Sequence, residues 1–218
     1  MLNSNDRKLK LSGWLQENNA SAYNSALKLQ KFLFFYEVFS KNATGHADFS
    51  SLKGYKRGPV FSTVFGDYTH DSAEFALASK ECYSEDPSFV NPLFAKKANF
   101  MIDILSEDEL SELTHQYNIW NSKSERILSG EQQVPLSESD FTAEDNTLTD
   151  TLFHMFSVDT IENSKVIHIG DNSFVYSTED AHKITSSHMD TMFALSKKEN
   201  LSNPVFVNID EEGRLLID

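Results

Sequence analysis

The chain has 218 residues, of which 39% are hydrophobic and 24% charged, enough to bury the core of one domain or of one domain with an extension. Thirty-three Asp and Glu outweigh nineteen Lys and Arg, for a formal charge of −14. No apolar run approaches the roughly 20 residues of a membrane-spanning helix. The polar residues 1–6 lack a signal-peptide core, and the single cysteine, Cys82, excludes an internal disulfide framework and a cysteine-based zinc site. A cytosolic protein that does not engage a membrane is the expectation.

A first helix is expected after Ser4 or Asn5, with Leu9, Leu11, Trp14 and Leu15 as its apolar set. Ser21 reads as the N-cap of a second, strong helix through about Lys41. Ala26, Leu29, Leu33 and Tyr36 mark one face, and Phe32, Phe34, Phe35 and Phe39 make it apolar nearly all round. Such a helix belongs at the centre of a core. Residues 42–51 form a polar turn region, and Leu52–Tyr55 a short extended segment. Gly58-Pro59 breaks the chain, and Pro59 suits the first turn of a helix through Asp67.

Pro87 and Pro92 bracket a loop before a helix through Leu105. Ser106-Glu107-Asp108-Glu109 is a capping-box pattern for a helix to about Leu128, with Leu110, Leu113 and Tyr117 inward. Residues 130–139, with Pro135, read as a loop. Thr142-Ala143-Glu144-Asp145 opens a further helix whose face is Leu148, Leu152 and Phe156. After about Asn163 the grammar changes. Val166–Ile169 and Phe174–Tyr176 flank a turn at Gly170-Asp171-Asn172, a helix covers 187–197, and 205–209 and 214–217 flank the turn Asp210-Glu211-Glu212-Gly213. The expected fold class is α+β: a mainly α-helical body with short β elements over 1–163, then an α+β segment over 164–218.

Charge is distributed unevenly. Residues 1–60 hold nine Lys/Arg and four Asp/Glu, a net +5, whereas 61–218 hold ten and twenty-nine, a net −19. Between Arg126 and Lys165 there are eight acids and no base: Glu131, Glu138, Asp140, Glu144, Asp145, Asp150, Asp159 and Glu162. Such a stretch disfavours nucleic acid and would steer a basic protein partner, unless it is simply a solvated face. Glu138, Asp140, Glu144 and Asp145 are its candidate contact residues. Lys53–Arg57 (KGYKR) is the main basic cluster, and its Tyr55, Lys56 and Arg57 are candidates for contact with a protein or with an acidic patch of the same chain.

Catalytic motifs are missing. There is no P-loop, dinucleotide fingerprint or Gly-x-Ser-x-Gly elbow. None of the seven histidines forms a His-x-x-x-His pair, and His46-Ala47-Asp48 reads as turn chemistry more than as a pair of metal ligands. Glu107, Asp108, Glu109 and Glu112 read as helix capping and solvation. Cys82 has no local histidine to activate it. A non-enzyme without cofactor or metal is expected.

Two segments carry a family resemblance. Residues 26–36 (ALKLQKFLFFY) resemble the opening "KLQKLLYY" helix of the Panacea-type antitoxin domain, the broad family of SocA-like proteolytic adaptors and many phage-associated proteins. Residues 54–60 (GYKRGPV) are similar to that family's "AWKYGPV" element, and 64–68 (VFGDY) to its continuation, in the same order. Gly54-Tyr55 replaces Ala-Trp, Arg57 stands where an aromatic is usual, and a Ser/Thr-His…Trp signature is not clear in 120–140. The likeness covers about residues 20–130. It implies an antitoxin-like protein that neutralises a cognate toxin by direct binding. Alternatives within the same likeness are an adaptor delivering a client to a AAA+ protease and a phage protein inhibiting a host enzyme. The motifs themselves serve packing more readily than partner contact.

Overall fold

The computed structural model describes residues 1–198 and 201–217. The chain folds as α+β, with a mainly helical body and two small sheets among the described residues. It divides into two units: residues 1–102 with 107–155, and 103–106 with 156–218. The division after Met155 falls ahead of the change of grammar at Asn163, because the short helix Val158–Glu162 clusters with the second unit.

In the first unit α1 (Asp6–Asn18) and α2 (Ala20–Tyr23) precede the long α3 (Ala26–Thr44). Asn19, not Ser21, caps α2, and Ser25 caps α3 by accepting from the Lys28 N–H at 3.2 Å. Two caps six residues apart make the chain turn where one continuous helix from Ser21 is expected. The helix runs past Lys41 until Gly45 takes the left-handed conformation at φ 76° and ends it, shortening the polar turn expected at 42–51.

From Leu29 to Ser40 every residue of α3 is buried. Its rings are met on several sides: Trp14 stacks on Phe32 at 5.5 Å, and Tyr117 meets Phe34 edge-on at 5.1 Å. Phe94 meets Tyr36 at 5.9 Å, and Phe153 meets Phe39 at 5.2 Å. Edge-to-face and offset pairs add to the transfer energy of the buried area. This is why one helix carries four of the seventeen phenylalanines.

β1 (Leu52–Tyr55) and β2 (Gly58–Phe61) form an antiparallel hairpin, with Tyr55 opposite Gly58 and Lys56-Arg57 as its turn. Pro59 therefore lies in a strand and does not open a helix; α4 (Ser62–His70) waits three residues. A proline lacking its N–H suits a sheet edge as well as a first helical turn. Next comes α5 (Ser72–Glu85), a helix with little apolar signature, in which Phe75 and Ser79 are buried. It packs closely on α1: a Cβ on Gly13 would lie 2.1 Å from the Ser79 carbonyl oxygen.

α6 (Pro92–Ile104) follows the proline-bracketed loop. The single helix expected to Leu128 is broken into α7 (Glu107–His115), α8 (Asn118–Asn121) and α9 (Ser124–Leu128). The cause is Asp145, whose carboxylate accepts from the backbone N–H groups of Asn118 and Ile119 and so starts a new helix there. Part of the expected loop is strand: β3 (Val134–Pro135) pairs with β1, giving the order β2-β1-β3. α10 (Ala143–Met155) completes the unit, with Leu152 buried on its inner face.

The second unit holds α11 (Val158–Glu162), the hairpin β4 (Ser164–Ile169) and β5 (Asn172–Ser177), α12 (Ser186–Leu195), β6 (Val205–Ile209) and β7 (Leu215–Ile217). Sheet order is β4-β5-β6-β7, and the β5–β6 pair is parallel, joined through α12. Phe174, Met192, Val205 and Val207 form its small core. Gly170 and Gly213 turn the two hairpins at φ 62° and 76°.

Candidate functional site: a groove built by both sequence motifs

The first unit carries an open groove of about 930 Å³. It is framed by the start of α3, the β1–β2 hairpin, α4, α9 and the loop 130–133. Leu27, Gln30 and Lys31 reach it from the first motif; Tyr55, Lys56, Arg57, Pro59 and Val60 come from the second. Phe65 and Ile127 complete the apolar lining.

The motif residues are tied to one another. The Gln30 side-chain oxygen accepts the Phe61 N–H at 2.8 Å, replacing a strand partner at the outer side of β2. The ammonium of Lys31, nearly fully buried, donates to the Arg57 carbonyl at 2.5 Å and to the Thr114 hydroxyl at 2.7 Å. Burial, reinforced by the Arg57 charge, pulls Lys31 down to about 7. Gly58, at φ 105°, passes so close that a Cβ there would lie 2.2 Å from the Lys31 nitrogen and 2.4 Å from the Thr114 hydroxyl oxygen. Lys31 and Gly58 are thus one device: the lysine holds the turn by its carbonyl, and the missing side chain lets it in.

Charges at the mouth are mostly matched. Arg57 pairs with Glu107 at 3.1 Å and Asp108 at 2.7 Å, and the Ser25 hydroxyl donates to Glu107 at 2.7 Å. Arg126 pairs with Glu131 at 2.5 Å. Lys56 is exposed and makes no ion pair among the described residues. The acids expected only to cap α7 therefore also fix the hairpin turn.

A third element behind the hairpin escaped the sequence reading. Thr114 and His115 lie upstream of the window 120–140 and Trp120 at its first position, and all three serve this hairpin. Thr114 accepts from Lys31, the Trp120 indole N–H donates to the Tyr55 carbonyl at 3.0 Å, and His115 stacks on Trp120 at 3.8 Å and bonds the Lys56 backbone. Burial lowers the His115 pKa, with the Lys31 charge adding to it. The signal was a Thr-His pair five residues ahead of a Trp, hidden by the expectation of one unbroken helix.

Of the seven candidate contact residues, Tyr55, Lys56 and Arg57 line the groove, while the four acids do not. Glu138 pairs with Lys41 at 2.5 Å, and Asp140 with Lys123 at 2.9 Å. Glu144 is exposed on α10. Asp145 is 1% exposed, and it caps α8 and accepts the Thr142 N–H at 3.2 Å, so it is a structural acid and offers no surface charge.

Other polar clusters are structural too. Glu37, wholly buried, takes a bidentate bond from Arg7, a bond from Lys8 and the Asp48 N–H. Asp48 closes an Asx turn onto the Ser50 N–H at 2.9 Å, and the His46 carbonyl accepts from Ser40. Cys82 is half-buried, and burial with nearby Asp6 and Glu85 raises its thiol pKa, which weakens it as a nucleophile. Among the described residues no three His, Cys, Asp or Glu side chains gather as metal ligands, and no helix is long and apolar enough to cross a membrane. No family model, curated protein or solved structure matches the chain.

Proposed function

We propose that this chain is an antitoxin-like protein that neutralises a cognate toxin by direct protein–protein contact, with the α3–hairpin groove as the contact surface. One observation carries the reading: the two segments bearing the family resemblance, 26–36 and 54–60, converge on the same groove, and Tyr55, Lys56 and Arg57 stand at it. The groove displaces the acidic stretch as the candidate surface, because Glu138 and Asp140 are paired within the chain and Asp145 is buried. Apolar side chains flanked by polar and paired charged groups match the make-up of a protein interface, with its apolar centre and polar rim.

The test is co-expression with the product of the adjacent gene. Toxicity of that product is relieved by the wild-type chain, and relief is lost on Val60→Asp, which puts a charge into the lining, with the circular dichroism spectrum unchanged. A neighbour that is not toxic, together with no stable partner on purification, overturns the reading.

A further inference from the structure

The geometry of the three-stranded sheet restricts how a partner can bind, and this inference rests on the protein-binding reading above. Short peptides commonly add to a protein as an extra strand, as a helix in a groove or as a polyproline segment on aromatic slots. Strand addition needs outward N–H donors in succession along a sheet edge. At β2 the Phe61 N–H points away from β1, since Gln30 takes it. By the two-residue period the other outward position is Pro59, which has no N–H. At the opposite edge β3 is two residues long and its second residue is Pro135. Neither edge presents the donor row that a strand needs.

Recognition then falls to side chains in the groove. Its apolar lining is aliphatic as much as aromatic, with Leu27, Val60 and Ile127 beside Tyr55 and Phe65. That mixture accepts the aliphatic stripe of a helix; polyproline binding relies on aromatic slots. Charge adds direction. Arg57 and Arg126 are committed to acids of this chain, which among the described residues leaves Lys56 as the exposed cation at the mouth without a carboxylate. We propose that the groove seats an amphipathic helix of the partner, aliphatic face inward, with an Asp or Glu of that helix set against Lys56.

The experiment uses the full chain and two displayed peptide libraries. One is a 20-residue helix randomised on one face; the other is an extended decapeptide. Expected is enrichment from the helix library of clones carrying an acid at a fixed offset from their aliphatic stripe. Their affinity, read by fluorescence anisotropy, falls at least ten-fold on Lys56→Glu and is restored when the peptide acid is changed to Lys. It is lost on Val60→Asp and unchanged on Glu144→Gln. Binders drawn only from the extended library, helices indifferent to Lys56→Glu, or no binder from either library each overturn the proposal. Rescue from a neighbouring toxin that persists alongside such a failure refutes only the helical mode. Absence of rescue by the wild-type chain, with no stable partner on purification, refutes the protein-binding reading itself.

Discussion

Gly58→Ala is the sharpest test of how the groove is built. A Cβ at this position meets the Lys31 nitrogen at 2.2 Å and the Thr114 hydroxyl at 2.4 Å. A lysine tip elsewhere could swing aside, but this one is buried and held by two acceptors. Two costs follow. A non-glycine residue at positive φ loses about 1–2 kcal/mol, and a buried polar group pushed off its partners loses about 1–3 kcal/mol. Together they put Gly58→Ala at roughly 2–5 kcal/mol. Gly45→Ala is the internal control: φ is 76° and nothing lies within 4 Å of its Cβ, so only the backbone cost applies, about 1–2 kcal/mol. Urea unfolding followed by tryptophan fluorescence measures both, since Trp14 and Trp120 both belong to the first unit. In a Lys31→Ala/Thr114→Ala background the obstructing atoms are gone, and the Gly58→Ala penalty falls to that of Gly45→Ala. If Gly58→Ala costs no more than Gly45→Ala in the wild-type background, the close approach is refuted and Lys31 does not hold the turn.

Other outcomes follow from the same geometry. Lys31 has a folded pKa of about 7 against an ordinary 10.5, so the unfolded chain binds more protons between those values and wild-type stability rises with pH relative to Lys31→Met. The rise is at most about 1.4 kcal/mol per pH unit, and parallel urea curves for the two proteins from pH 7 to 10 would refute it. Glu37→Ala leaves Lys8 buried without its main partner and lowers stability by about 3–5 kcal/mol in thermal or urea unfolding, a far larger effect than any exposed pair gives. Asp145→Ala, which orphans the Asn118 and Ile119 N–H groups, costs about 2–4 kcal/mol, whereas Glu144→Gln stays within about 0.5 kcal/mol. Asp67 accepts the N–H groups of Asn3 and Ser4 at 2.7–3.0 Å. Asp67→Ala therefore removes hydrogen-exchange protection at those two amides, and retained protection would show that another group anchors residues 3–4.

Local pattern made much of the fold legible. The aromatic density of residues 32–39 marked α3 as a core helix, and Gly170 and Gly213 marked both hairpins of the second unit. What escaped was set by tertiary hydrogen bonds. Asp145 breaks the helix at Tyr117 from 28 residues away in sequence, and no local residue announces that break. α5 escaped because its packing on α1 uses small groups, Gly13 against Ser79, and not an apolar stripe. Pro59 was misread because a missing N–H is compatible with a helix start and with a sheet edge; Lys31 decides between them by holding the Arg57 carbonyl. The groove was half legible. Both motifs were visible as words, but their meeting depends on Gly58 and Thr114, and the acidic stretch drew attention that its buried and paired members do not support.

The second unit is made of two stretches, 103–106 and 156–218. The Asn203 side-chain amide donates to the Ile104 carbonyl at 3.1 Å, and the Ser173 hydroxyl to the Asp103 carbonyl at 3.4 Å. The chain thus enters this unit, leaves it and enters again. Residues 156–218 are therefore not a cassette: cut out alone, or grafted onto another protein, they would lack Asp103 and Ile104, whose carbonyls receive these bonds. Whatever sequence drift this unit undergoes must carry the α6–α7 junction along with it.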